Sequence, residues 1–297
     1  MSSSWGECEA DAGQGYAQAE NITAEQMAAQ GQSMFSSAGD AGAYDGIREG
    51  SGSADRDCLK VDDPATQPRV TSAGGTPLES DNPGTHLYPQ YPQGIESDWN
   101  VDNLGKGAAA GLQWYNSTGA GGGGHSIFWG RPGHQRGPGV NNSQTTIGPA
   151  NCSPAAAGRC REVPDVSADA DEYTPYSEYC TGTDASSTCA FYDSYFGSDW
   201  VGIGGTSLSS PLWSAILEYR DAYHGYRSGN TNYVLYSLFN DNYRNYSRNA
   251  GDFHDSTGFR QTTNQNGYYF ETPGYDQATG IGTTNMSTLL TGYRGNY

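Results

Sequence analysis

The chain has 297 residues, which is compatible with one large α/β domain and does not require two. It contains 42 glycines and 22 tyrosines and only 16% charged residues, a composition that favours long ordered loops around a modest core and argues against a helical bundle. The formal net charge of −18 argues against nucleic acid or an anionic membrane as a partner, and the scarcity of lysine, limited to Lys60 and Lys106, suits an acidic medium.

Two elements are predicted near the N-terminus of the chain. Residues 23–31 predict one short helix, with Thr23 as its N-terminal cap and Gly31 after its last turn. Residues 33–36 predict a short buried strand that runs into a turn at 38–42.

The next segments add a strand and an ordered loop. Residues 69–73 predict a strand that stops at the glycines of 74–75, and strands that end at glycine and alternate with helices are typical of a parallel sheet. The Gly- and Pro-rich stretch 119–139 has the composition of a flexible linker, but the Ile-Phe-Trp run at 127–129 favours an ordered loop.

The strongest helix prediction covers residues 211–224. Pro211 stands near its start, where a missing N–H breaks no hydrogen bond. Four apolar residues are predicted to share its buried face, namely Leu212, Ala215, Ile216 and Tyr219. No apolar run in the chain approaches the roughly 20 residues that span a bilayer.

The six cysteines include no CxxC pair and no His/Cys cluster with zinc spacing, so neither a zinc site nor a redox motif is indicated. An even number of cysteines in a chain rich in glycine, serine and asparagine favours disulfides and an oxidising compartment. The expected pairs are 152 with 160 and 180 with 189, each closing a small loop, which leaves Cys8 with Cys58.

The most informative motif is Gly-Gly-Thr-Ser-Leu-Ser-Ser-Pro at 204–211. A turn of small residues delivers Ser207 to the N-terminal end of an apolar helix, where the helix dipole and backbone N–H groups favour developing negative charge. A serine nucleophile and its oxyanion need this environment, although the motif alone is more often a helix cap.

A serine nucleophile needs a base, and histidine is the usual one. None of the five histidines has the His-Gly-Thr context of subtilisin-type enzymes, and each is expected to be a surface or loop residue: His86, His125, His134, His224 and His254. A carboxylate must therefore serve as the base if the protein is a peptidase.

Seven segments, in order along the chain, resemble the sedolisin family, the serine-carboxyl peptidases built on a subtilisin-like fold. They are Ser-Trp-Gly-Glu-Cys-Glu at 4–9, Phe-Ser-Ser-Ala-Gly-Asp-Ala-Gly at 35–42, Val-Thr-Ser-Ala-Gly-Gly-Thr at 70–76, and the segments 121–126, 161–168, 204–211 and 274–282. The resemblance implies an α/β, subtilisin-like three-layer domain with a central, mostly parallel sheet flanked by helices. It also implies that residues 1–297 are a partial peptidase domain, without the family's propeptide and the N-terminal part of its catalytic domain.

By the same resemblance, Ser207 is the nucleophile and Asp40 lies in the oxyanion hole. An ionised carboxylate would repel the oxyanion, so Asp40 must be protonated to donate a hydrogen bond, which predicts activity at acid pH. The family pairs one strand with the substrate backbone and borders its S1 pocket with a Gly-Gly turn. The substrate-binding residues implied here are Ser4, Trp5, Gly6, Gly74 and Gly75.

The resemblance also implies a Ca²⁺ site near the C-terminus. Its ligands would be the side chains of Asp255 and Asp276 with the carbonyls of Ser256, Thr272 and Gly274. Calcium prefers carboxylate and carbonyl oxygens from flexible loops of this kind. Ser256 and Thr272 depart from the residue types usual in the family, which carbonyl ligands tolerate.

The family's base is a glutamate backed by an aspartate four residues later on one helix face, upstream of the Ser-Trp-Gly strand. Glu7 and Asp11 have this spacing, but Glu7 directly follows that strand and leaves no room for the helix, so we reject the pair. The chain alone is therefore expected to be inactive.

The full protein is expected to be a secreted, extracellular endopeptidase or tripeptidyl peptidase. Its expected partners are peptide or protein substrates and its own propeptide, with no nucleic acid and no membrane. The alternative is a catalytically inactive binding or decoy protein of the same shape. A subtilisin-like enzyme would want Asn at position 40 and a His-Gly-Thr motif, and a carbohydrate-binding module would want a planar aromatic platform.

Overall fold

The computed structural model describes residues 1–43, 59–77, 99, 119–140, 159–171, 174–181, 199–245, 253–254, 266 and 268–291. Its strands are β1 (Ser2–Ser3), β2 (Glu7–Cys8), β3 (Met34–Ser37), β4 (Asp62–Asp63), β5 (Val70–Thr76), β6 (Gly124–Gly130), β7 (Cys160–Val163), β8 (Val166–Asp169), β9 (Tyr176–Tyr179), β10 (Trp200–Ile203), β11 (Phe253–His254) and β12 (Thr283–Thr284). Its helices are α1 (Glu9–Ala12), α2 (Gln14–Ala29), α3 (Thr206–His224), α4 (Asn232–Asn245) and α5 (Met286–Thr291).

The centre of the fold is a four-stranded sheet in the order β1-β3-β5-β8. All three neighbouring pairs are parallel, with Ser2 opposite Phe35, Phe35 opposite Thr71, and Ala73 opposite Val166. Parallel strands need crossover connections, and they bury both faces of the sheet. The predicted α/β class with a central parallel sheet is confirmed.

Helix α3 packs against β3, β5 and β8, and its buried residues form the core together with the sheet. Trp213 anchors this contact, since it is fully buried and its indole Nε1 donates a hydrogen bond to Ser167 O at 2.9 Å. The core cluster extends into α4 through Leu235 and Phe239. Within the described residues, no helix combines the length and apolarity needed to cross a membrane.

Helix α2 begins well before the predicted start at Thr23 and ends close to the predicted end. It covers Gln14–Ala29, and Gly31 follows it with a φ of 76°. Its fully buried residues are Ala17 and Ala24, so its packed face carries no large apolar side chains that would reveal a helical period.

The face predicted for α3 is largely wrong. Ile216 is buried as expected, but Leu212 and Tyr219 are exposed. The buried face instead includes Ser209 and Ser210 in its first turns, because small side chains let the helix approach the strands closely. The helix also begins at Thr206, five residues before the predicted start.

The structure differs from the predicted end of one strand and agrees with the predicted order of one loop. Strand β5 continues through the glycines expected to stop it and ends at Thr76, which pairs with Asp169 of β8. The stretch 119–139 is ordered as predicted, and part of it forms β6, paired antiparallel with β7.

The expected Cys8–Cys58 disulfide is wrong, because Cys8 is a free, buried thiol. Burial raises the pKa of this thiol, so it stays protonated and packs as a small apolar group. Cys58, Cys152 and Cys189 lie outside the described residues, and the pairs 152 with 160 and 180 with 189 stay predictions.

Candidate active site

The carboxyl edge of the parallel sheet gathers segments that are far apart in sequence. Strand β1 leads to Ser4, β3 leads to Asp40 and β8 leads to Ala170. Because parallel strands end at the same edge, these residues come together there. The N-terminus of α3 joins them, since Gly205 N donates a hydrogen bond to Ala170 O at 2.7 Å.

Ser207 lies in the first turn of α3, directly against the Ser-Trp-Gly segment. Its hydroxyl is partly exposed and donates to Ser4 O at 3.1 Å. In return, the Ser4 hydroxyl donates to Ser207 O at 2.6 Å. Trp5, which follows, is 80% exposed, so this segment presents both backbone and a large side chain to an incoming ligand. The predicted nucleophile and the predicted substrate-binding strand are thus in contact.

Asp40 is held at the same helix terminus. Its Oδ1 accepts hydrogen bonds from Thr206 N and from Thr206 Oγ1, both at 2.7 Å. Gly205 has a φ of +95°, and a Cβ built on it would lie 2.8 Å from Asp40 Oδ2. Glycine is therefore needed here for both conformation and space. Thr206, the residue that binds Asp40, directly precedes Ser207.

A second carboxyl, that of Asp62, lies near Asp40, and sequence reasoning missed it. Asp62 is buried on β4, and its Oδ1 has no hydrogen-bond partner among the described residues. A Cβ added to Gly6 would lie 2.8 Å from Asp62 Oδ2. Burial first, then the neighbouring carboxylates of Asp40 and Glu7, raises the pKa of Asp62 to about 7. No sequence motif marked it, because its burial and its neighbours depend on tertiary structure.

The two glycines predicted to border the S1 pocket face different sides of β5. A Cβ on Gly75 would meet Ala170 at 2.8 Å and Trp99 at 2.9 Å. Ala170 O in turn accepts a hydrogen bond from Gly205 N, in the turn that leads to Ser207, so Gly75 lies close to that turn. A Cβ on Gly74 would meet Pro164 at 2.7 Å, on the other side. Neither position has room for a side chain, and the role of the two glycines in an S1 pocket stays a prediction.

Among the described residues, no side chain accepts a hydrogen bond from the Ser207 hydroxyl. The one hydrogen bond that its hydroxyl donates within the described part of the chain goes to a backbone carbonyl. Glu7 belongs to β2 and Asp11 to α1, so this pair does not share one helix face. His125 is buried within β6, which corrects its expected surface or loop position, whereas His134 is buried but does lie in a loop.

The predicted calcium ligands are only partly described, since Asp255 and Ser256 lie outside the described residues. Asp276 is buried, and its Oδ1 accepts hydrogen bonds from Ala278 N at 3.0 Å and Thr279 N at 2.8 Å. Its Oδ2 accepts one from Thr272 N at 2.9 Å. No group of three His, Cys, Asp or Glu suited to a metal occurs in the described segments.

Comparison with known proteins agrees with this geometry. No protein-family model matches the chain. It is 28% identical over 264 residues to kumamolisin from Bacillus sp. (strain MN-32), covering 89% of this chain and 36% of that protein. It is 31% identical over 213 residues to sedolisin from Pseudomonas sp. (strain 101), covering 71% of this chain and 27% of that protein.

A solved structure of Pseudomonas sedolisin, a serine-carboxyl proteinase complexed with two molecules of pseudo-iodotyrostatin, superposes with a TM-score of 0.65 and 26% identity. The match covers 98% of this chain and 63% of that one. The chain thus spans about a third of the length of the curated relatives it matches. With two relatives and a solved structure in agreement, the chain belongs to the sedolisin family and has its subtilisin-like α/β fold.

Proposed function

We propose that the protein containing this chain is a serine-carboxyl peptidase that cleaves peptides or proteins at acid pH. The observation that carries this proposal is the meeting of Ser207 and Asp40 at the N-terminus of α3, through Thr206. A hydroxyl and a carboxyl on either side of one helix terminus can flank the same peptide carbonyl.

In the reaction, the Ser207 oxygen attacks the scissile carbonyl carbon while its proton passes to a carboxylate base. The carbonyl electron pair moves to oxygen, and Asp40, as a neutral acid, donates a hydrogen bond to that oxyanion. Collapse of the intermediate breaks the C–N bond, the amine takes the proton from the base, and water later releases the acyl group. Asp40 must be protonated for this, which limits activity to acid solution.

The base is proposed to be the glutamate of a Glu/Asp pair supplied by the parent protein outside this chain. The support is the position of Ser207, whose hydroxyl meets only a backbone carbonyl within the described residues. We therefore propose that residues 1–297 alone are inactive, and that the full protein is an endopeptidase or a tripeptidyl peptidase with a propeptide of its own.

The test compares Ser207→Ala with Ser214→Ala in the complete gene product, on a peptide library at acid and neutral pH. Ser214 lies on the same helix, two turns further along. Peptidase activity that survives Ser214→Ala and disappears with Ser207→Ala supports the proposal. Peptide binding without cleavage by the unmodified protein would instead favour the inactive binding or decoy protein.

We also propose that calcium binds the C-terminal loop, with Asp276, Thr272 and Gly274 as ligands together with Asp255 and Ser256. The bound ion would tie the loop together and stabilise the fold. The support is the contact that brings two of these residues together, since Thr272 N donates a hydrogen bond to Asp276 Oδ2 at 2.9 Å, and the preference of calcium for carboxylate and carbonyl oxygens. Calcium should raise the melting temperature, EDTA should lower it, and Asp276→Asn should remove the difference. A melting temperature that calcium leaves unchanged in the unmodified protein refutes the site.

An acidic, extracellular workplace is part of the same proposal. Burial raises the pKa of Asp62 to about 7, so this carboxyl is accommodated in the fold as a neutral acid. Detection of the protein in the culture medium of its source organism, and its absence from the cell lysate, would support secretion.

A further inference from the structure

The hydroxyl of Thr206 is bound by three groups at once. Gly39 N donates to Thr206 Oγ1 at 3.2 Å, and Oγ1 lies 3.1 Å from Gly39 O and 2.7 Å from Asp40 Oδ1. Thr206 is fully buried, so water does not reach its hydroxyl, whereas Asp40 is an exposed residue. A threonine hydroxyl has one proton to donate, and the shorter contact is the one to Asp40.

We propose that Thr206 is a positioning residue that decides which oxygen of Asp40 carries the acid proton. This inference rests on the proposed function and deepens it. Oδ1 faces the N–H and the O–H of Thr206, both of which are donors. A proton on Oδ1 would crowd the Thr206 N–H and would force the Thr206 hydroxyl to turn to Gly39 O, the longer of its two contacts, so the neutral acid carries its proton on Oδ2.

Oδ2 is the oxygen that can serve the reaction. It lies over the bare Cα of Gly205, 2.8 Å from where a Cβ would be, in the turn that leads to Ser207. With the proton fixed on Oδ2, Asp40 meets the developing oxyanion as a donor without first rotating. Pre-set donors of this kind act in the transition state more than in the bound substrate.

Helix capping alone does not account for the arrangement. The first backbone donor of α3 is the Thr206 N–H, and Asp40 Oδ1 already accepts its hydrogen bond, as a helix-capping side chain would. The hydroxyl adds a second donor to the same oxygen and is itself fastened to Gly39, the residue before Asp40. The backbone bond survives any substitution of Thr206, whereas the hydroxyl bond can be removed separately.

The experiment uses the complete gene product with Thr206→Val, which keeps the shape and loses the hydroxyl, and Thr206→Ser, which keeps the hydroxyl. Thr231→Val is the matched control, since Thr231 is also buried and directly precedes a helix, α4. Thr206→Ala gives the same comparison if the valine variant does not fold. The readouts are kcat, KM and the affinity for a peptide aldehyde, whose adduct with Ser207 resembles the tetrahedral intermediate.

The expected result is a kcat lower by about 10- to 100-fold in Thr206→Val with KM changed less than about twofold, as for loss of a transition-state donor. Aldehyde affinity should fall in parallel, and both Thr206→Ser and Thr231→Val should resemble the unmodified protein. A kcat unchanged in Thr206→Val, or a loss confined to KM, overturns the inference. Activity that persists in Ser207→Ala would overturn the proposed function itself, so the two failures are distinguishable.

Discussion

Stability should fall as the pH rises from about 4 to about 7, and Asp62 is a main cause. In the unfolded chain its pKa is 3.8, whereas burial, with Asp40 and Glu7 nearby, raises it to about 7 in the fold. Between these values the folded state holds a proton that the unfolded state has released, so the free energy of unfolding decreases with pH. The rise from 3.8 to about 7 corresponds to about 4 kcal/mol, since one pKa unit is worth about 1.4 kcal/mol.

The perturbation is Asp62→Asn, which keeps the shape and removes the ionisation. Urea unfolding at pH 4 and pH 8 gives the free energy of unfolding of the variant and of the unmodified protein. Relative to the unmodified protein, the variant should gain about 4 kcal/mol between the two pH values. Glu218→Gln on the exposed side of α3 is the control. Its free energy of unfolding, compared with that of the unmodified protein, should differ by the same amount at both pH values. A difference for Asp62→Asn that is equal at both pH values would refute the reasoning.

Three further substitutions test other contacts. Gly205→Ala should destabilise the fold by about 1–3 kcal/mol through its positive φ and the crowding of Asp40, and should weaken aldehyde binding measured by calorimetry. Asp165→Asn should cost about 3–5 kcal/mol in urea unfolding because it strands the buried guanidinium of Arg161, whereas replacing both residues by apolar ones should cost less. Asp276→Ala leaves buried backbone donors without an acceptor and should lower stability by about 1–3 kcal/mol even without calcium, as thermal unfolding in EDTA would show.

The sequence was enough for the sheet but not for the helices around it. Short strands ending at glycine predict parallel βαβ units, and β3 and β5 lie close to where they were expected. The first half of helix α2 escaped prediction because it buries alanines, such as Ala17, which leave no apolar period. Helix α3 was found, but its face was misassigned because serines such as Ser209 are buried where it lies close to the strands.

The candidate site could be predicted only as far as motifs reach. Asp40 and Thr206 are 166 residues apart, and nothing in their local sequences says that they touch. Family resemblance placed Asp40 and Ser207 in one site, and the shared carboxyl edge of the strands gives the physical reason. Asp62 could not have been found this way, because its raised pKa depends on burial and on carboxyls contributed by other segments.

The buried carboxyls and the chemistry proposed for Asp40 favour the same range of pH. Burial is the largest cause that raises the pKa of Asp62 to about 7, of Asp63 to about 8 and of Glu162 to about 8. Asp62 and Asp63 resist ionisation in the fold, so each favours the folded state most in acid and least near neutrality, whereas the ion pair with Arg131 opposes the rise at Glu162. A peptidase whose oxyanion donor is a neutral carboxylic acid also works only in acid. Neutral pH would therefore weaken the fold, and in the proposed mechanism it would also work against the neutral oxyanion donor, and the two effects are linked because Asp40 is one of the groups that raise the pKa of Asp62.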